Sequence, residues 1–168
     1  MNTRRRALVS LLLLTSLAAC GFQFRGTRAD SKLSFQSLYL ETPARTPLER
    51  ELRAALKTQN GLTLVTDPKT ADVSLFISSA IEEKKVLTLN AQGQVREFSL
   101  LYRLNFSAKD SAGKILVPST ELALQSSMAF SESQALAKET EERMIFADLR
   151  GDAVSQIIRR LTRISSEK

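Results

Sequence analysis

Cys20 is the sole thiol among 168 residues, and no histidine occurs anywhere in the chain. Ser-His-Asp and Cys-His catalysis need an imidazole as base, and zinc sites draw on histidine or cysteine, so these chemistries lack their residues. Carboxylate-only and Ser-Lys chemistry are what the composition leaves open. Two Ser-x-x-Lys spacings occur, Ser111 to Lys114 in an expected turn and Ser165 to Lys168 at the chain end. Neither opens a helix, and no Ser-Asp-Asn or Lys-Thr-Gly motif accompanies them, so both are read as coincidence. There is no Gly-x-Ser-x-Gly elbow, phosphate loop or Gly-x-Gly-x-x-Gly turn. The residue types thus argue against an enzyme, a metal site or a bound cofactor, and the Cys20 thiol is the one reactive group left to explain.

Cys20 closes a segment built for export. Arg4, Arg5 and Arg6 precede an apolar run from Ala7 to Ala19, which ends Leu17-Ala18-Ala19 directly before the cysteine. A basic start, a short apolar middle and small residues before a cut are the parts of a secretory signal, and the cysteine makes the pattern similar to a bacterial lipobox. The 13-residue run, interrupted by Ser10, Thr15 and Ser16, falls short of the roughly 20 apolar residues of a membrane-spanning helix. Residues 1–19 are therefore expected to be removed. Cys20 then becomes the first residue of the mature chain, carrying a thioether-linked diacylglycerol and an acylated amino group. Two or three acyl chains, at about 0.8 kcal/mol per buried methylene, anchor a protein firmly. Gly21, where an aspartate favours inner-membrane retention in enterobacterial-type sorting, points to the outer membrane.

The mature chain, residues 20–168, is long enough for one domain with a real core. Losing the three signal arginines lowers the formal charge from +6 to +3. With no second cysteine, no intramolecular disulfide can form despite the oxidising compartment, and the fold must rest on packing. The weak positive charge, the compartment and the lack of a basic stripe interleaved with aromatics disfavour nucleic acid as a partner.

Residues 20–32 are small and polar and read as a tether, leaving 33–168 as a single domain. A strand is expected over about Ser37 to Glu41. Thr46-Pro47-Leu48-Glu49 supplies a cap, a proline at the first helical position and a glutamate at the third. Leu48, Leu52, Ala55 and Leu56 then recur at helical spacing until Asn60-Gly61. Leu62 to Val65 is either a short strand or the lead into the next one, and Asp67-Pro68 turns the chain. A long strand follows from Asp72 to Asn90, broken by Glu82-Glu83-Lys84-Lys85. That cluster marks a solvated edge, a bend or a partner-binding patch. Ala91-Gln92-Gly93-Gln94 is a hairpin turn. Beyond it Phe98, Leu100, Tyr102, Leu104 and Phe106 alternate with Glu97, Arg103 and Asn105, Leu101 being the exception. Asp110 to Lys114 turns into a strand over Ile115 to Phe130, where Pro118 requires an edge position or a bulge.

Ser131 to Gln134 starts a second helix that is expected to run to about Arg163. Ile145, Leu149, Ala153, Ile157 and Leu161 lie four apart, with Met144, Val154, Ile158 and Ile164 widening the stripe. Arg159, Arg160 and Arg163 suit its C-terminal end. Gly151 weakens the middle and serves either a bend or a close contact. The expected architecture is α+β, with two helices packed on one face of a mixed, mainly antiparallel sheet of about four strands. Phe98, Tyr102 and Phe106 are assigned to the core.

Strand, helix, three long strands and long helix form an order that resembles the lipopolysaccharide-assembly lipoprotein family, LptE. The residues that carry the resemblance are Cys20-Gly21-Phe22-Gln23-Phe24-Arg25-Gly26 after the lipobox, Gly93-Gln94 before Arg96-Glu97-Phe98, Ala135-Leu136-Ala137-Lys138-Glu139, and Ile157-Ile158-Arg159-Arg160-Leu161. The resemblance implies a subunit, not a catalyst. Such a subunit plugs the lumen of the outer-membrane β-barrel LptD, helps it to assemble and contributes to placing lipopolysaccharide in the outer leaflet. The anchor on Cys20 would raise the local concentration of the domain beside the barrel mouth.

Lipopolysaccharide offers phosphates and acyl chains, so the resemblance directs attention to cations beside apolar surface. Lys138, in the matched segment near the second helix start, and Arg96, beside the hairpin, are the candidate contacts. The hairpin tip Asn90-Ala91-Gln92 differs from some relatives in lacking a cation. The rival reading is a periplasmic scaffold or activator lipoprotein, for example of a cell-wall synthase, which would share the anchor and the small mixed fold.

Overall fold

The computed structural model describes residues 33–43 and 46–166, so the signal, the tether and Cys20 lie outside the described residues. The elements run β1 (Ser37–Glu41), α1 (Pro47–Lys57), β2 (Thr63–Val65), β3 (Val73–Leu89), β4 (Val95–Asp110), β5 (Ile115–Ala129) and α2 (Ala135–Ser166). One sheet holds all the described strands in the order β2-β1-β3-β4-β5. β1 pairs in parallel with both β2 and β3, whereas β3, β4 and β5 form two long antiparallel pairs. The fold is the expected α+β layer with five strands where about four were expected, because Thr63–Val65 pairs with Ser37–Tyr39 as a short strand in its own right.

Local chemistry explains the boundaries. The Thr46 hydroxyl accepts the Glu49 N–H at 3.2 Å, and Pro47 occupies the first turn, where it leaves no donor unsatisfied. Leu48, Leu52 and Leu56 form the buried stripe of α1. Asp72 fixes the start of β1, since its Oδ2 accepts the N–H groups of Gln36 and Ser37, each at 2.9 Å. The hydrogen bonds from Gln36, then from Ser37, hold its carboxyl below the usual range. Gly93 closes the β3–β4 turn at φ +78°, a conformation that glycine adopts without strain. Pro118 meets both of its expected conditions: β5 is an edge strand, and the pairing with β4 shifts between Phe106 and Ala108, opposite that stretch.

Both helices cover the same face. Leu38 and Leu40 of β1, Val73, Leu75 and Ile77 of β3, and alternate residues of β4 from Leu100 to Ala108 meet α1 and α2 in one core. Tyr102 and Phe106 are buried there, and Phe98 is partly buried against it. The stripe of α2 differs from expectation at one point: Phe146, not Met144, faces inward, and Met144 is 57% exposed. The start of α2 differs as well. Ser131 makes no side-chain cap, its hydroxyl lying 2.9 Å from that of Ser133, and a 3₁₀ turn over Glu132–Gln134 leads into the helix.

β3 outruns its inner neighbour. β1 pairs only with Val73 to Phe76, so the rest of β3 has β4 on one side and no described strand on the other. The Glu82 to Lys85 cluster lies on this one-sided stretch, an edge of the sheet. Between Ile77 and Ser79 the register shifts by one residue. Before this bulge the odd-numbered residues face the helices; beyond it Ala80, Glu82, Lys84 and Val86 stand opposite Leu104, Tyr102, Leu100 and Phe98, the inward positions of β4.

Two predictions arise from this packing. Gly151 is exposed within α2, and a Cβ there would meet nothing within 4 Å. Close packing therefore does not call for the glycine, and Gly151→Ala should raise the urea midpoint by an equivalent of roughly 0.5 to 1 kcal/mol. A lowered midpoint would show that the folded helix needs a distortion at this point. The Tyr102 hydroxyl is buried without a hydrogen-bond partner among the described residues, and burial pushes its pKa up to about 12 from 10.0. Folding favours the neutral phenol, so its contribution is complete below pH 10.0 and is lost as pH rises towards about 12. Tyr102→Phe should match or exceed parental stability at pH 7, by up to about 1 kcal/mol, and the stability gap should widen in its favour in alkali. Denaturant midpoints taken from pH 7 into alkali check both statements.

Candidate functional site

The half of the molecule away from β1 is an arm made of β3, β4 and β5 beyond the bulge, covered on one face by the first half of α2. Its tip is uncharged and closed by its own hydrogen bonds. Asn90 Oδ1 accepts the N–H groups of Gln92 and Gln94 at 3.0 and 2.9 Å, and Asn90 and Gln94 also pair through their main chains at 2.8 Å.

The two halves of α2 hold the sheet by different means. Beyond Gly151 the contacts are apolar, through Ala153, Val154, Ile157 and Leu161. Before it, inward apolar contact falls to Phe146 and Leu149 with the partly buried Ile145, and ion pairs do the rest. Arg150 bridges two elements, with Nε 3.1 Å from Glu51 of α1 and Nη1 2.5 Å from Glu82 of β3. Burial works against its charge, but the bonds to both carboxylates outweigh that and hold its pKa above the usual arginine value. Lys84 Nζ lies 2.5 Å from Glu142 and 4.3 Å from the centre of the Phe98 ring. Phe98 in turn meets Phe130 edge-on, with centroids 5.2 Å apart.

The bare face of the arm carries a separate ion cluster, in which Glu83 binds Lys85 at 2.7 Å and also Arg103. The hydrogen bond from Lys85, then that from Arg103, keeps the Glu83 carboxyl below its usual range.

Of the residues singled out from sequence, Lys138 lies in the first turn of α2, with its side chain only 16% exposed and Nζ 2.7 Å from Glu141. Arg96 is exposed at the start of β4, and its carbonyl accepts the Phe130 N–H at 2.8 Å. Both lie at the arm end, and no hydrogen bond or ion pair joins them to each other. Cys20 lies outside the described residues. Sequence reasoning noted Lys84 only as part of the Glu82 to Lys85 cluster and passed over Glu142. The available signal was the helical stripe itself: continued towards the N-terminus from Leu149 and Ile145, it lands on Glu142 and Lys138.

The arm also carries exposed apolar surface along its length. Seven large apolar side chains are exposed among the described residues, and six of them, Ile81, Val86, Leu87, Leu89, Leu136 and Met144, belong to the arm or to the α2 half above it. Exposed apolar groups interleaved with lysines suit a ligand that is itself part anionic and part hydrocarbon. At the opposite end, a shallow groove of about 360 Å³ lies between Leu116 to Pro118 and the last turns of α2. Arg160 there stacks 5.7 Å from the Phe106 ring.

Comparison with known proteins agrees with this architecture. A family model described as "LptE: Lipopolysaccharide-assembly" matches residues 35–161. A protein of Yersinia enterocolitica named LPS-assembly lipoprotein LptE is 29% identical over 167 residues, covering 94% of this chain and 76% of the relative. One of the same name from Pectobacterium atrosepticum is 26% identical over 175 residues, covering 100% and 90%. Among solved structures, an uncharacterized lipoprotein B of Nitrosomonas europaea superposes with a TM-score of 0.72 at 32% identity, covering 87% of this chain and 93% of that one. The rare lipoprotein B of Shewanella oneidensis shares the fold, with a TM-score of 0.68 at 21% identity, covering 79% and 99%.

Proposed function

The chain belongs to the lipopolysaccharide-assembly family LptE, and from that premise we propose that it is an outer-membrane lipoprotein that seats in the LptD β-barrel, helps it to assemble and serves the delivery of lipopolysaccharide to the outer leaflet. In this reading a lipid on Cys20 holds the domain at the periplasmic side. Among the described residues no helix is long and apolar enough to cross a membrane. The role is that of a binding subunit without chemistry of its own.

The observation that carries the reading is the arm, whose β3 stretch and covering half of α2 bear six of the seven exposed large apolar side chains among the described residues, with Lys138, Lys84, Lys85 and Arg96 on the same elements and on β4. A phosphorylated, multiply acylated lipid presents the complementary pattern. Lys138 is the leading contact: Glu141 already fixes its ammonium, and most of its stem is covered, so little side-chain freedom remains to be lost on binding. Arg96 is the second contact. No side chain among the described residues engages its guanidinium, which leaves it able to reach an anion.

A mild-detergent pull-down of the lipidated chain from its own envelope, followed by mass spectrometry, tests this function. The expected result is one large β-barrel in stoichiometric amount together with lipopolysaccharide. Lys138→Glu should keep the barrel but lower lipopolysaccharide recovery about tenfold, the loss expected for one charge-assisted contact. A cell-wall synthase in place of the barrel, or no stable partner, overturns the reading.

A further inference from the structure

We propose that Lys84 is a seat for the phosphate of an acylated amphiphile, and that Glu142 fills that seat until the ligand displaces it. The inference rests on the function proposed above and adds to it a residue and a means of control.

Lys84 should not face a helix. A lysine on a long antiparallel strand belongs on the wet face, but the bulge between Ile77 and Ser79 turns it inward, opposite the fully buried Leu100. Its ammonium stands over the Phe98 ring at 4.3 Å and meets the Glu142 carboxylate at 2.5 Å. The ring is a fixed partner that keeps the cation in place whether or not the carboxylate is there. Glu142 is the exchangeable partner. It sits on the half of α2 with few apolar contacts, and the two side chains keep 35% and 23% of their exposure, so solvent or another anion can enter. A pair this open adds little to folding stability, and opening it costs the fold little.

Glu141, the preceding residue, holds Lys138 in the same way. Two successive carboxylates on one helix thus occupy Lys84 and Lys138. Val86, the next inward residue of β3, is 52% exposed, and Leu136, near the start of α2, is 81% exposed. A phosphate on Lys84 would therefore have uncovered apolar surface at the same end of the arm for the hydrocarbon that it carries. The carboxylates act as internal competitors. They hold the lysines in position when no ligand is present and disfavour weakly binding anions, which must displace them without the help of an acyl chain.

The test uses the full chain in mild detergent, binding to phosphatidylcholine vesicles with and without lipopolysaccharide, with thermal unfolding of each variant as a control for folding. Lys84→Gln should weaken binding to the lipopolysaccharide vesicles about tenfold, and Lys84→Arg should restore most of it. Glu142→Gln should strengthen binding several-fold. Glu139→Gln, which removes the same charge from an exposed position of the same helix, should change it less than twofold. Inorganic phosphate at equal phosphate concentration should not compete.

A Lys84→Gln chain that binds like the parent overturns the seat while leaving the proposed function standing. A Glu142→Gln gain no larger than that of Glu139→Gln overturns the displacement, and full competition by inorganic phosphate overturns the amphiphile as ligand. Failure of the unaltered chain to bind lipopolysaccharide vesicles overturns the function and the seat together.

Discussion

Ser78 is one residue more than β3 needs to stay in step with β4, and that surplus decides what the long helix meets. Were Ser78 paired in step with β4 instead of forming the bulge, Ile81 would lie against α2 while Glu82 and Lys84 would be in water. With the bulge, Ile81 is outward and half exposed, and two charged side chains face the helix. The outer part of the sandwich is thereby denied an apolar seam. The pairs Arg150–Glu82 and Lys84–Glu142 take its place, and each is possible only in the shifted register.

This accounts for the uneven character of α2. Beyond Gly151 it behaves as an ordinary core helix over β4 and β5. Before Gly151 it is a cover held by a few apolar contacts and by charge. Exposed ion pairs stabilise little, whereas buried aliphatic side chains stabilise by about 1.5 to 3 kcal/mol each, so resistance to local opening must fall from the β1 end towards the arm tip. The proposed ligand contacts lie at the weaker end, where surfaces can rearrange without unfolding the rest.

Much of the scaffold was legible because its signals are local. Thr46-Pro47 announces a helix start through a hydroxyl and a missing N–H, Gly93 marks a positive φ, Pro118 rules out a central strand, and the alternation from Phe98 to Phe106 reads as one buried face. The bulge was not legible, since Ile77-Ser78-Ser79-Ala80 carries no glycine or proline and its small residues tolerate either register. Everything that depends on the bulge was hidden with it, including the inward turn of Lys84. Met144 and Phe146 were exchanged for a related reason: both fit a broad stripe, and only the angle at which the helix crosses the sheet chooses between them. Lys138 was singled out by its place in a segment that resembles the family's, whereas its covered stem follows from the geometry of the stripe.

Two of the open margins of the sheet are not equally guarded. On the one-sided stretch of β3, Glu82 to Lys85 would set charges against any strand that came alongside, which discourages addition there. β5 has Pro118 and Glu121 near its start, but from Leu122 to Phe130 it has neither charge nor proline. That margin is the template on which a stray strand would grow, and a single lysine placed along it would be the economical safeguard against aggregation.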